Sequence, residues 1–406
     1  MRDWRKMNDM GNDLELNSLK AQAQEILETN ILPYWLTKVT DKENGGYYGR
    51  IDGHDQVHPE ADKGAVLNAR ILWAFSAAYR IMHRPEYLKA ATRAKDYIMA
   101  HFMDERYGGV YWSLDYKGQP KDTKKQTYAI GFAIYGLSEY ARATGDESAQ
   151  TAAVSLYHTI EQHAYDPVSK GYVEALSRNW GPIEDMRLSD KDENGSRTMN
   201  SHLHILEPYT NLYRIWKDPA LEVSIRNLIR LFLQVFMDQE GRVDLFFDDH
   251  WHGKRNIQSF GHEIEASWLI HEAALVLNDP ELLREVEPVV RQMAKSSEKG
   301  LDKDGSMVYE HWLDNGHWDR QRQWWVECEN VIGHINLYQH FGDRKALDVA
   351  ENGFRYIKTH LIDHEHGEWY WAVREDGTVD RGNDKAGFWK CPYHNSRMCL
   401  ELIERI

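Results

Sequence analysis

The sequence predicts an all-α fold: an (α/α)6 barrel of twelve helices with short β-hairpins and long loops at one mouth. Three observations predict it. A short motif recurs six times at near-constant intervals, the stretches between copies carry apolar residues at helical spacing with one break each, and a single unpaired helix remains at each end of the chain.

The motif is an acidic start, a Gly-containing turn and then alternating aromatic or aliphatic residues. It reads DKENGGYYGRID from Asp41, DERYGGVYWSLD from Asp104, DPVSKGYVEALS from Asp166, DQEGRVDLFFDD from Asp238, DKDGSMVYEHWLD from Asp302 and DHEHGEWYWAVRED from Asp363, at intervals of 63, 62, 72, 64 and 61 residues. Each copy has the form of a Gly turn followed by a short strand or irregular hairpin.

Between copies the helical pattern breaks at His83-Arg84-Pro85, Gly145-Asp146, Asp218-Pro219, Asp279-Pro280 and Gly342-Asp343. The expected pairs span roughly 62–83 with 85–102, 124–143 with 147–164, 200–216 with 219–236, 258–277 with 281–297, and 322–341 with 344–360. The terminal runs, about 15–31 and 391–406, supply a sixth pair only if the chain ends meet, which closes the ring. Residues 1–406 are thus expected to form one catalytic domain, with about 1–14 a flexible N-terminal segment. An open solenoid of helix pairs is the rival architecture, and it would need polar end caps that the sequence lacks.

Composition narrows the function classes. The net charge of −15, with no run of five basic residues, argues against nucleic acid. No apolar run reaches the length of a membrane span, and the N-terminal stretch does not read as a signal peptide, so a cytoplasmic setting without a membrane partner is expected. Three cysteines, Cys328, Cys391 and Cys399, without metal-type spacing argue against a disulfide framework and a zinc site. The 15 Trp, 22 Tyr and 20 His serve a core as readily as a site, so position has to decide between them.

Each long loop precedes the first helix of a pair, so the first turns of those helices gather at one mouth. They carry Arg70, Tyr128, Asn200 and His204, then His262 and Glu265, then Trp324, Trp325 and Glu329, and last Trp389, His394 and Arg397. A single histidine on an apolar helix is more often structural, but three at matching positions of separate repeats suit proton transfer, because imidazole titrates near neutrality. Spacings of three or four residues give His262 a neighbour in Glu265, His204 one in Asn200 and His394 one in Arg397, each able to orient it. His202 points elsewhere and is expected to pack. Trp324 and Trp325 cannot share a helix face, so one is expected to stack on a sugar while the other packs between helices. No HExxH occurs, and no catalytic metal is expected.

At these residues the chain resembles the cellobiose 2-epimerase branch of the N-acylglucosamine 2-epimerase superfamily. GFWKCPYHNSRMC, TMNSHLHILEPYTNLYRIW and GHEIEASWL carry the resemblance, which runs over essentially the full length. It implies an isomerase without a cofactor that inverts C2 of the reducing-end sugar in β-1,4-linked disaccharides, taking cellobiose to glucosyl-mannose and acting likewise on lactose or mannobiose. It also implies His262 and His394 as the acid/base pair and His204 as a helper in ring opening. Arg70, Tyr128 and Asn200 would meet the oxygens of the open-chain sugar, Glu265 would orient the base, Trp324 and Trp389 would stack on the rings, and Glu329 and Asp192 would line the pocket.

The alternatives are an N-acylglucosamine or mannose 2-epimerase or aldose–ketose isomerase of the same fold, a glycoside hydrolase using Glu265 and Glu329 as its carboxylate pair, and a non-catalytic glycan- or protein-binding scaffold. The expected partner is a disaccharide, on a monomer or weak homo-oligomer. Activity is expected to fall as pH drops through the histidine range.

Overall fold

In the computed structural model, which describes residues 4–253 and 256–406 with side chains from residue 14 onward, helices follow one another in pairs around a ring. The chain opens with α1 (Trp4–Ile26), which runs through a π turn at Leu27–Ile31 into α2 (Leu32–Thr37) as one rod. Next come α3 (Ala65–Met82) with α4 (Pro85–Tyr97), α5 (Thr127–Thr144) with α6 (Glu147–His163), and α7 (Met199–Ile215) with α8 (Pro219–Leu231). The pairs α9 (Phe260–Leu277) with α10 (Pro280–Ser297) and α11 (Trp324–Phe341) with α12 (Arg344–Tyr356) follow, and α13 (His394–Arg405) completes the set. Most boundaries agree with expectation to within a few residues. The first helix is longer than expected, starting at Trp4. Of the segment 1–14 expected to be flexible, residues 1–3 and the side chains of 4–13 lie outside the described residues.

Inside a repeat the two helices are nearly contiguous because a left-handed residue ends one and a capped start begins the next. Gly145 (φ 76°) and Gly342 (φ 68°) close α5 and α11 in the left-handed region, where glycine meets no Cβ penalty, and His83 and Asn278 do the same for α3 and α9. Asp146, Asp218, Asp279 and Asp343 then accept the first free backbone N–H groups of α6, α8, α10 and α12.

Helices α3, α5, α7, α9, α11 and α13 each pack on the next, and α13 returns to α3, so they form a closed inner ring with the remaining helices outside. Burial follows that division. In α9 every residue from Phe260 to Ala274 is buried except His262 and Glu272, whereas α10 buries the stripe Leu282, Val286, Val290 and Met293. Apolar side chains from the inner and outer helices join one continuous buried cluster.

The ends of the chain do meet. Ile51 N–H donates to the Ala386 carbonyl at 2.7 Å, and buried Glu368 accepts from Trp35 Nε1 (2.5 Å), Lys390 Nζ (2.6 Å) and Asn395 Nδ2 (2.7 Å). The acidic start of five of the six motifs also finds its reason, while that of the fourth, Asp238, pairs with Arg242 inside its own loop. Asp41, Asp104 and Asp363 receive the buried ammonium groups of Lys63 (2.8 Å), Lys125 (2.8 Å) and Lys385 (2.7 Å), and Asp166 and Asp302 pair with Arg197 (2.6 Å) and Arg322 (2.6 Å). Each pair ties a loop to the segment that enters the next inner helix. No helix among the described residues is long and apolar enough to cross a membrane.

Candidate active site

The inner helices start from short strands pinned to neighbouring loops. Lys63–Gly64 pairs with Ser113–Leu114, Lys125–Gln126 with Ala175–Leu176, Arg197–Thr198 with Phe246–Phe247, Ile257–Ser259 with Glu310–Trp312, and Arg322–Gln323 with Ala372–Val373, all antiparallel. The Ile51–Ala386 bridge takes this place before α13. The first turns therefore come together at one mouth, as the loop order predicts.

At the centre lies the fully buried guanidinium of Arg397. Its Nη2 donates to Oε1 of Glu265 (2.7 Å) and Oε1 of Glu329 (2.6 Å), and its Nη1 donates to Glu207. Tyr393 Oη also donates to Glu207 (2.5 Å), and Trp268 Nε1 donates to Glu329 (3.0 Å). Three carboxylates thus share one cation. Against the upward push of burial, Arg397 and His204 hold Glu207 down to about 2. Burial and the neighbouring Glu329 push Glu265 up to about 8, as expected when carboxylates compete for one partner.

Three imidazoles stand on this platform with Nδ1 anchored in each. His204 is held by Glu207 (3.0 Å), His394 by Glu329 (2.7 Å) and His262 by the hydroxyl of Ser259 (2.8 Å). The Nε2 atoms of His262 and His394 take no hydrogen bond from the described residues. Both rings lie against one indole, with Trp325 centred 4.8 Å from His262 and 5.7 Å from His394. Burial pushes His262 down to about 3, aided by His204, and lowers His394 and His204, with Arg70 and Arg397 adding to the effect at both.

The remaining wall is aromatic and cationic. Arg70 donates to Tyr128 Oη (2.8 Å) and lies over the rings of Phe132 (4.2 Å) and Tyr393 (4.5 Å). Tyr128 meets His204 edge-on at 5.2 Å and Trp389 at 6.0 Å. Trp324 packs on Trp371 at 4.6 Å, its ring 6.3 Å from His394, so of the adjacent pair it is Trp325 that touches both histidines. Asp192 and Asn200 stand apart from the charge network. Asp192 accepts from the amide (2.9 Å) and hydroxyl (3.1 Å) of Ser189, and the half-buried Asn200 keeps an unpartnered Oδ1. His202 spends both nitrogens on the backbone, at Thr198 O (2.6 Å) and Tyr172 N (2.9 Å), which makes it structural.

The orienting neighbours differ from the sequence expectation. Glu265 does not bond His262: its bond goes to Arg397, and it lies 4.0 Å from both His394 Nδ1 and His204 Nε2. Asn200 and Arg397 likewise give way to Glu207 and Glu329 as partners of His204 and His394. The reason is geometric. The guanidinium of Arg397 reaches Glu207, Glu265 and Glu329 at once and draws Glu265 away from His262, while for His394 the neighbouring helix supplies the nearer carboxylate. Glu207, Ser259 and Tyr393 were not singled out in the sequence. Glu207 and Ser259 each stand three residues from their histidine, and that spacing was the available signal.

Glu265, Glu329 and His394 offer donor atoms within 4.8 Å of one another, a spacing that a metal ion could use, and the Arg397 cation donates to both carboxylates there.

Residues 46–396 match the N-acylglucosamine 2-epimerase (GlcNAc 2-epimerase) family. The chain is 56% identical over 386 residues to a cellobiose 2-epimerase of Bacteroides fragilis, covering 95% of this chain and 98% of that one. It is 39% identical to a cellobiose 2-epimerase of Ruminococcus albus, again over 95% and 98% of the two chains. The solved cellobiose 2-epimerase of Bacillus thermoamylovorans superposes with a TM-score of 0.91 at 43% identity, covering 96% of this chain and 100% of that one. Fold and relatives together define an isomerase, of the racemase and epimerase class, on an (α/α)6 barrel. More narrowly, the chain belongs to the N-acylglucosamine 2-epimerase family and to its cellobiose 2-epimerase branch.

Proposed function

We propose that the enzyme inverts C2 of the reducing-end sugar of β-1,4-linked disaccharides, converting cellobiose to glucosyl-mannose and acting likewise on lactose and mannobiose. The observation that carries this reading is the pair of imidazoles, His262 and His394, set against the same indole with Nδ1 anchored and Nε2 unbonded.

The C2 proton of a closed pyranose is not acidic, so the ring first opens to the aldehyde, with His204 moving the proton between the anomeric hydroxyl and the ring oxygen. One of His262 and His394 then takes the C2 proton, and the C–H electron pair becomes part of an enediolate. Arg70 and Tyr128 supply the positive charge and the donor that stabilise its oxygen; the other imidazole, which enters the step as the imidazolium, gives its Nε2 proton to C2 from the opposite face, and the first keeps the proton it took. Asn200, Asp192, Trp324 and Trp389 contact the sugar in this reading, and Trp325 packs beside it. Glu329 orients His394, while Glu265 and Arg397 balance charge beneath.

The hydrolase alternative is disfavoured by the charge network. Glu265 and Glu329 both bind the same nitrogen of Arg397, so a guanidinium stands where a glycosidic oxygen would have to lie. The buried thiols of Cys328, Cys391 and Cys399 support a reducing, cytoplasmic setting. We read the chain as one catalytic domain, acting as a monomer or weak homo-oligomer on a disaccharide, without nucleic acid or membrane.

The test is NMR of products formed from cellobiose, lactose and mannobiose in heavy water. The expected product is an intact disaccharide epimerised and deuterated at C2. Release of monosaccharides, or turnover with no deuterium at C2, would overturn the reading.

A further inference from the structure

The start of α9 departs from the other helix starts that carry Ser, Thr or Asp at the N-cap. Thr198 caps α7 by accepting from Ser201 N–H (3.0 Å), and the aspartates before α6, α8, α10 and α12 cap in the same way. Ser259 stands at that position before α9 with extended backbone (φ −104°, ψ 103°), yet its side chain caps nothing. Among the described residues it is the one Ser, Thr or Asp at an α-helix N-cap that leaves the helix uncapped. A serine there ordinarily accepts from the amide two or three residues on. Here Oγ turns instead to the imidazole of the third residue, 2.8 Å from His262 Nδ1.

The hydroxyl is held from the strand side. Ser259 is buried and lies opposite Glu310 in the antiparallel pairing of Ile257–Ser259 with Glu310–Trp312, so the sheet aims its Cβ before the helix begins. The other two imidazoles are anchored by carboxylates, Glu207 and Glu329, and His262 by a neutral group. By accepting from Nδ1–H, a hydroxyl leaves the lone pair on Nε2, and it does so without stabilising the imidazolium as a carboxylate would.

We propose that Ser259 is the positioning residue of His262: it fixes the ring so that Nε2 faces C2 of the opened sugar, and, accepting from Nδ1–H, it keeps the proton taken at Nε2 easy to return. The C2 proton goes to Nε2, the C–H electron pair enters the enediolate, and Nδ1–H stays bonded to Oγ throughout. This rests on the acid/base role proposed above for His262.

The experiment compares S259A, S259T and H262A on cellobiose, with kcat and KM measured separately and thermal midpoints recorded. S259A should lower kcat about ten-fold, the factor corresponding to one ordinary net hydrogen bond, with KM close to wild type and the midpoint lowered only by the unpartnered imidazole nitrogen, because no cap is lost. S259T, which restores the hydroxyl, should recover the rate. Wild-type kcat in S259A while H262A is inactive, or a loss that S259T leaves unrepaired, overturns the positioning role and leaves the acid/base reading intact. Turnover surviving in H262A overturns that reading, and the role of Ser259 with it.

Discussion

Nδ1 of His394, on the C-terminal helix, lies 2.7 Å from Oε1 of Glu329 on the neighbouring inner helix. The last helix of the chain therefore delivers an imidazole whose orientation is set by a residue 65 positions earlier. Closing the ring and orienting that imidazole are one structural event.

Replacing Glu329 by Gln keeps the shape but removes the charge-assisted bond to His394. Such bonds contribute about 1.5–3 kcal/mol, so E329Q should lose roughly 10- to 100-fold in kcat with little change in KM. Steady-state kinetics on cellobiose checks this, and a wild-type kcat would remove Glu329 from the orientation of His394.

His394→Ala deletes a proposed proton-transfer group while leaving Arg70, Tyr128 and the aromatic wall in place. The expected loss in kcat is about 10²–10⁴-fold, with disaccharide binding still measurable by calorimetry. Unchanged turnover would end the acid/base assignment.

The pH dependence departs from that of a free imidazole. Burial pushes His262 down to about 3 and lowers His394, so whichever imidazole accepts the C2 proton is still neutral, and able to accept it, below the ordinary value of 6.5. The acidic limb of kcat/KM should accordingly fall below pH 6.5. Stability runs in the same direction: below 6.5 the unfolded chain binds protons that the buried histidines refuse, so falling pH favours unfolding. Profiles of kcat/KM and thermal midpoint on one pH series test both, and an acidic limb centred at or above 6.5 would contradict the burial argument.

Lys63 and Asp41 are both fully buried and 2.8 Å apart. Lys63→Met strands a carboxylate at a loop-to-helix junction and should cost about 3–5 kcal/mol, read as a lowered urea midpoint. Adding Asp41→Asn should recover part of that loss. If K63M unfolds at the wild-type midpoint, the repeated acid–base clasp does not hold the loops.

Much of the fold was legible before any coordinates. The breaks at Gly145 and Gly342 and the caps at Asp218 and Asp279 fall where Gly, Asp and Pro stand in the sequence, because backbone preferences act over only a few residues. The sixfold motif likewise implied that the ends meet, since an inner helix without a partner would leave its apolar stripe in water. The three histidines that gather at the mouth were legible for the same reason, since first turns of equivalent helices share a level.

Which of the possible partners holds each histidine was decided only in three dimensions, although Glu207 and Ser259 each stand three residues from theirs. Spacing along α9 nominated Glu265 for His262, yet Ser259 holds that ring and Glu265 turns to Arg397, 132 positions away in sequence. Local propensities are written in neighbouring residues, so the chain announces its own helices. Hydrogen bonds at the axis of a closed ring depend on which side chains from different helices reach one small volume, and that is fixed by packing rather than by order in the chain.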